Sequence, residues 1–441
     1  MSPPAAPVDA SLADAPLTHA RVLRIALPIV LANLSVPLIG LADTAVVGQL
    51  GQAAPIGAVG LGAVILASVY WIFGFLRMGT TGLAAQAFGA GDLGEAGAVL
   101  KRGLLIAAAA GAVLIALQMP LIWGAFRLAP ASAAVEDLTR AYLDIRIWGA
   151  PATIAGYAIT GWLIAIERTR AVLALQLVIG GLNIALNVWF VLGLGWGVRG
   201  VAVASLIAEY GGLALGLWLC RGAFVATAAR VFDAARLRRM ASVNSDIMLR
   251  SVLLQAGFTS FLFIAAGRGD DVLAANQILM QFLTVMAYLL DGFAFAAETL
   301  VGQAVGARRR AALTRAVRLS SLWGVAGAVA LALGFAAFGP PAIDFMTTAP
   351  DVRAAAMAVL PWVIAAPVIG IASWMLDGIF IGATRTREML KAMAASVALY
   401  ALAVLALWDW GNHGLWAALM VMNAARGVTM ALYYPRIPAS L

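Results

Sequence analysis

Apolar stretches long enough to cross a bilayer recur through this 441-residue chain, separated by short polar breaks. A helix spanning a ~30 Å hydrocarbon core needs about 20 mostly apolar residues. Twelve stretches meet or approach that length, at about 23–49, 57–80, 103–124, 142–166, 171–193, 199–219, 246–267, 273–298, 319–338, 357–382, 391–409 and 414–435. In lipid, backbone N–H and C=O groups find no water, so runs of this kind fold as helices. Composition agrees. The chain is 63% hydrophobic and 11% charged, against roughly 45–50% and about 25% in a soluble domain. In water such a chain would expose large apolar patches. The expectation is an all-α integral membrane protein with twelve transmembrane helices.

Charge tests the count. If the N-terminus is cytoplasmic and the helices alternate, the inner segments hold 20 Lys and Arg and the outer segments 5. The positive-inside rule predicts this asymmetry, and an odd helix count would break it. Both termini are therefore expected in the cytoplasm. The net charge of +8 then reads as an orientation signal, with the bilayer rather than nucleic acid as partner. Residues 1–20 are small, polar and Pro-rich and lack the basic start and short apolar core of a signal peptide, which suggests a flexible cytoplasmic tail. Cys220 stands alone, excluding an intramolecular disulfide or a Cys-based metal centre. His19 and His413 are too far apart in sequence to suggest a multi-histidine site. No cofactor is expected.

The chain reads as two repeats. LAAQAFGA at 83–90 matches LVGQAVGA at 300–307, and Arg168-Thr169-Arg170 matches Arg385-Thr386-Arg387, both at an offset of 217 residues. Six helices per half preserve topology, so two pseudo-symmetric six-helix bundles related by an axis along the membrane normal are expected. This is a parallel-repeat plan used by alternating-access transporters. The expected division is a first bundle at 21–219, a linker at 220–245 with an amphipathic Arg-rich segment on the inner surface, a second bundle at 246–435 and a tail at 436–441.

Charged and polar residues inside the spans need partners or a watery cavity. Asp43 lies near the outer end of the first span. Asn183 and Asn187, four apart, share one face of the fifth. Ser205 lies near the outer start of the sixth. These residues sit at nearly one depth and offer hard oxygen ligands for Na⁺, or one protonatable carboxylate with hydrogen-bonding neighbours. The plainer reading is separate interhelical hydrogen bonds. Pro28 and Pro37 precede Asp43, and each removes a backbone hydrogen bond and favours a bend, making them candidate hinges. A second group lies toward the inner ends: Arg77, Asp291, Glu298, Asp377 and Arg426. Its members either pair across the halves as an inner gate or form static pairs within one half. Glu209, in the middle of the sixth span, joins the Asp43 group or bonds to the fourth helix. Aromatic residues such as Tyr70, Tyr157, Trp162 and Trp374 line a cavity able to hold organic cations, or simply pack and face lipid. There is no GxxxxGK[ST], HExxH or GxSxG, so neither a primary ATPase nor those hydrolase signatures are present.

ALPIVLANLSVPLIGLADTAVVGQLG, GFLRMGTTGLAAQAFGAGD and LDGIFIGATRTREML resemble the MATE (multidrug and toxic compound extrusion) family, nearest its bacterial DinF-type branch. The resemblance covers about residues 20–435. It implies two six-helix bundles around a central cavity and export driven by entry of H⁺ or Na⁺. It also implies that Asp43 is the coupling carboxylate, with Asn183, Asn187 and Ser205 at the positions completing the N-lobe cation site. Some members carry Asp at the position of Asn187. The lost carboxylate weakens a Na⁺ site and favours H⁺. Asp377 matches a C-lobe acidic position that other branches use for coupling.

The reading is a secondary antiporter, not an enzyme. It is expected as a monomer in a bacterial inner membrane, exporting small organic, cationic or amphipathic compounds against H⁺ or Na⁺. Two alternatives fit less well. A lipid-linked oligosaccharide flippase needs a cavity rich in Arg and Lys, and the first half offers only Arg77 and Arg146. A membrane-embedded enzyme needs clustered catalytic His or Cys, which the spans lack.

Overall fold

The computed structural model describes residues 15–128, 131–225 and 228–441. Among them, twelve helices are long and apolar enough to cross a membrane: α1 (His19–Gly48), α2 (Ala53–Gly89), α3 (Leu93–Ala116), α4 (Ala133–Ala165), α5 (Thr169–Gly193), α6 (Gly197–Leu219), α7 (Ala234–Ala266), α8 (Asp270–Gly306), α9 (Arg310–Met346), α10 (Pro350–Gly382), α11 (Thr386–Ala406) and α12 (Trp408–Ser440). No strand occurs among the described residues. The protein is an all-α membrane protein of twelve spans.

Several helices run past the apolar stretches, as α4 does from Ala133 and α9 from Arg310, and two differences change the reading. Where one span is expected over 103–124, α3 stops at Ala116 and a short helix restarts at Gln118–Leu128. Pro120 explains the break. It has no N–H to give the Ala116 carbonyl, and it sits in the first turn of the restarted helix, where proline is tolerated. At the other boundary α7 begins at Ala234, inside the expected linker. Asp233 Oδ1 accepts the Arg236 N–H at 2.9 Å, capping the helix start. Arg236, Arg238 and Arg239 are therefore helical residues.

The repeat is visible in the backbone. The Asp92 N–H bonds to the Ala87 carbonyl, and 217 residues later Arg309 N–H bonds to Ala304; Arg168 to Leu163 is repeated as Arg385 to Phe380. These are helix-ending bonds of the Schellman kind. The left-handed residues that make such turns recur at the same offset: Gly91 (φ 74°) with Arg308 (φ 54°), and Glu167 (φ 60°) with Thr384 (φ 52°). A non-glycine residue held there costs of order 1–3 kcal/mol. Its recurrence in both copies of a turn is unlike accidental strain.

The chain forms two compact units. The first contains Leu31–Phe88 and Asp92–Arg239, and the second contains the segment ending at Val30, Gly89–Gly91 and Met240–Leu441. The boundary thus falls inside α1, two residues after Pro28, rather than before a bundle at 21–219. Close packing explains why the early part of α1 goes with the second unit. Gly292 of α8 has no Cβ where one would strike the Val30 side chain and crowd the Ala26 carbonyl. Val22, Ile25, Ala26 and Ile29 are buried. At the helix start Arg21 Nη2 donates to Gln303 Oε1 at 3.0 Å. At Gln86, the counterpart of Gln303, the first unit has a similar contact, with Arg239 Nη2 donating to Gln86 Oε1 at 2.8 Å. Within the second unit α10 approaches α8 through Gly378 and Gly382, which lie against the Ala294 and Glu298 carbonyls. Small residues four apart allow such backbone contact in lipid.

Candidate functional site

The first unit brings Asp43, Asn183, Asn187 and Ser205 together. Asn187 Nδ2 donates to Asp43 Oδ1 at 2.5 Å and to Asn183 Oδ1 at 3.0 Å. Asn183 Nδ2 donates to Ser205 Oγ at 2.9 Å. One hydrogen-bonded chain therefore links α1, α5 and α6. Asn183, Asn187 and Ser205 are buried, while Asp43 is partly buried. The four-residue spacing of the asparagines puts both amides on one helix face, which is why α5 serves as the spine of the cluster.

Two features of this cluster bear on its chemistry. Among the described residues no cation pairs with Asp43 at contact distance, and its hydrogen-bond partner is Asn187. Also, the buried Asn187 Oδ1 has no hydrogen-bond partner. Buried polar atoms are seldom left so, and this acceptor lies on the same amide whose nitrogen holds Asp43.

Immediately after Asn187 the α5 backbone changes to a π-helix over Val188–Gly193. Wider turns of this kind are rare, occur mostly as single-turn bulges within α-helices and are frequent at functional sites. Nothing in the residue pattern of VWFVLG separates it from ordinary apolar helix.

Glu209 of α6 is tied to Arg146 of α4. Arg146 Nη1 and Nη2 donate to the two carboxylate oxygens, each at 2.8 Å. Gly149 lies one turn from Arg146, and a Cβ there would collide with the Glu209 carboxylate. The pair is mostly buried, and both charges act on Asp43 through space. The sequence reading leaves Glu209 between two roles. It faces α4 in an ion pair and remains electrically part of the Asp43 group.

The second unit gathers Asp291, Asp377 and Arg426. Asp377 pairs with Arg250 of α7 and lies 3.8 Å from Arg426. Arg426 donates to Ser373 Oγ at 2.8 Å and stacks over Trp374 at 5.0 Å. Trp374 Nε1 donates to Asp291 Oδ1 at 3.2 Å. These contacts lie within one half. Opposite charges on α7, α10 and α12 thus meet locally, the static arrangement that the sequence reading set beside a gate. Arg250 is the residue missed by sequence reasoning, although a charge inside the span at 246–267 was a usable signal. Glu298, on α8, is buried. Arg77 lies in the first unit, where its carbonyl accepts from Thr81 Oγ1 at 2.9 Å.

The repeat offset exposes an asymmetry. Asp43 and Asn183 correspond to Ser260 and Tyr400, and Ser260 Oγ donates to the Tyr400 hydroxyl at 3.2 Å. The first unit has an acid and an amide where the second has two hydroxyls.

The family model described as MatE matches this chain twice, over residues 28–189 and 247–407. The chain belongs to the MatE family. The two matches coincide with the two repeats. DNA damage-inducible protein F of Escherichia coli (strain K12) is 39% identical over 422 residues, covering 94% of this chain and 91% of its own length. A probable multidrug resistance protein NorM of Neisseria meningitidis serogroup A is 26% identical over 366 residues, covering 78% of this chain and 77% of its own. A structure titled "Crystal structure of MATE in the bent conformation" superposes with a TM-score of 0.86 at 20% identity, over 95% of each chain. At that identity the superposition speaks for the fold. This MatE protein is a membrane transporter of the DinF type, not an enzyme.

Proposed function

We infer that this MatE transporter exports small organic cations or amphipathic compounds in exchange for protons, with Asp43 as the coupling group. The observation that carries the reading is a partly buried carboxylate without a contacting cation, held by an amide that is itself fixed to α5 and α6. Asn187 gives Asp43 a donor from Nδ2 and offers an unpartnered acceptor at Oδ1. A proton arriving on the carboxyl finds that acceptor within the same contact, so a change of charge at Asp43 rearranges one amide rather than the whole bundle. α1 carries the change onward. Its Asp43 end belongs to the first unit and its start to the second, with Pro28 and Pro37 as bending points between the Arg21 contact and the acid. The transporter works as a monomer in a bacterial inner membrane, with both termini in the cytoplasm, as the distribution of basic residues supports.

Sodium is the second reading. Asp43, the Asn183 and Asn187 carbonyl oxygens and Ser205 Oγ are hard ligands suited to Na⁺. With a single carboxylate among them, the proton is the better-supported ion. Purified protein in proteoliposomes, supplied with a fluorescent organic cation, separates the two. A pH gradient alone should drive uptake of the cation, and a Na⁺ gradient at equal pH should not. The reverse outcome assigns Na⁺. Failure of both gradients with a panel of organic cations rejects the antiport reading.

A further inference from the structure

Val188–Gly193, directly after Asn187, is the one π-helical segment among the described residues. Leu194 N–H donates to Trp189 O and Trp196 N–H to Phe190 O, each at 2.9 Å. These bonds reach back five and six residues, where an α-helix reaches back four. The wide turn is rare, so contacts outside it must favour it here. Phe190 supplies them. Its ring stacks on Trp189 at 5.4 Å and on Trp196 at 4.9 Å, and it is buried while both indoles are exposed. Gly200 of α6 lies against it: a Cβ there would sit 3.2 Å from the Phe190 carbonyl carbon and 3.1 Å from Trp196 Cβ. A glycine at that place lets α6 close on the end of α5 without displacing either residue.

The repeat shows the same place without the wide turn. At the offset of 217 residues Val188–Gly193 corresponds to 405–410, where α11 stops at Ala406 and a 3₁₀ turn over Trp408–Trp410 opens α12. Asn187 corresponds to Val404, which is buried and apolar. The half that carries the amide has the π-helix, and the half that carries valine does not. In the first unit α5 and α6 are pinned at two levels, by Asn183 with Ser205 at 2.9 Å and by Phe190 with Gly200. Asn187 lies between these levels on α5, and its amide reaches out of the pair to Asp43 on α1.

We propose that Phe190, clamped by Trp196 and Gly200, is a positioning residue for ion coupling: it holds the end of α5 as a π-helix and so sets the direction in which Asn187 presents its amide to Asp43. Phe190 acts through Asn187 rather than on the ion. A hydrogen bond weakens steeply as its angle departs from line, so a small rotation of α5 at this level changes what the carboxylate meets. The inference rests on the reading of Asp43 as the coupling group and adds the residues that aim its partner.

The test uses the full chain in proteoliposomes, with uptake of a fluorescent organic cation followed under pH gradients of increasing size and thermal unfolding measured on the same preparations. Phe190→Leu keeps an apolar side chain and removes both stacks, and Trp196→Leu removes one of them at an exposed position, so its unfolding midpoint should stay near that of wild type. Each should lower the rate about tenfold, since misplacing a working group by 1 Å can cost up to ~100-fold. Each should also move the proton concentration that half-activates transport by at least about threefold, with KM for the organic cation within about twofold of wild type. In an Asn187→Ala chain, which has no amide left to aim, adding Trp196→Leu should change neither quantity further. Trp218→Leu, an exposed indole at the other end of α6, should behave as wild type. A loss of maximal rate with unchanged half-activation, or an equal effect of Trp218→Leu, shows a merely structural role and overturns the proposal. So does a further change on adding Trp196→Leu to Asn187→Ala. Wild-type half-activation in Trp196→Leu beside an inactive Asp43→Asn rejects this inference alone, whereas gradient-driven transport by Asp43→Asn rejects the coupling reading beneath it.

Discussion

Replacing Glu209 by Gln should damage this transporter more than removing Glu209 and Arg146 together. The pair is bidentate, with both oxygens at 2.8 Å from Arg146 nitrogens and side chains only 11% and 18% exposed. Removing one partner of such a pair leaves a buried charge uncompensated and costs about 3–5 kcal/mol, whereas replacing both with neutral groups is often close to neutral. Against a typical total stability of about 5–15 kcal/mol, Glu209→Gln should lower the unfolding midpoint clearly. Arg146→Gln/Glu209→Gln should stay within about 1 kcal/mol of wild type, so the two single losses of about 3–5 kcal/mol each leave a non-additivity of at least about 5 kcal/mol, the signature of a coupled pair. Transport should follow the same order. Freed of Glu209, Arg146 turns toward Asp43, the remaining acid in its electrical reach, and competes with the coupling ion. If about half of the lost pairing energy is redirected there, ion uptake slows roughly tenfold. The assay is gradient-driven efflux from proteoliposomes, alongside thermal unfolding of the same preparations. A Glu209→Gln protein that melts and transports like wild type, or a double variant worse than the single, would refute the reasoning.

Asn187→Asp places a second carboxylate against Asp43, at a contact now 2.5 Å long. Na⁺-driven transport should appear or strengthen in that variant, measured with a Na⁺ gradient at fixed pH. Asp92 titrates below the ordinary carboxyl range: burial pushes it upward, but the Glu95 N–H and the Arg230 guanidinium together outweigh burial. A lowered folded-state value means its contribution is present above the unfolded value, about pH 4, and is lost as pH falls through the lowered one. Asp92→Ala should cost about 1 kcal/mol at pH 7 through the lost cap, and the gap to wild type should close in acid. Cys220 is fully buried, and burial pushes its thiol up to about 12 despite Arg168. Maleimide should therefore label it slowly at pH 7.5 in folded protein and readily after unfolding.

Much of this molecule is legible in its residues, for identifiable reasons. Span length and the polar breaks between spans act locally, so the twelve helices follow from the sequence alone. The 217-residue offset survives because its turns need particular backbone shapes, as Glu167 and Thr384 show. Asp43, Asn183, Asn187 and Ser205 stand out because a polar group in lipid requires a partner, and their depths can be counted along each helix. Contacts that depend on helix rotation are another matter. Arg146 and Glu209 are 63 residues apart, and no local pattern says that α4 and α6 turn these two faces together. The pairing of Arg250 with Asp377 is hidden for the same reason. The division of α1 between two units at Val30 leaves no trace in the apolar residues around it, since the cause lies in Gly292 on a distant helix. The π-helical close of α5 likewise has no compositional mark.

The central claim is that the state of one acid drives export, and Asp43→Asn tests it with almost no change of shape. Asparagine preserves an oxygen for the Asn187 amide but can neither take up a proton nor carry charge. In proteoliposomes under an imposed pH gradient, the account predicts that gradient-driven movement of an organic cation is abolished while the unfolding midpoint stays near that of wild type. Gradient-driven transport at the wild-type rate by a well-folded Asp43→Asn protein would contradict it.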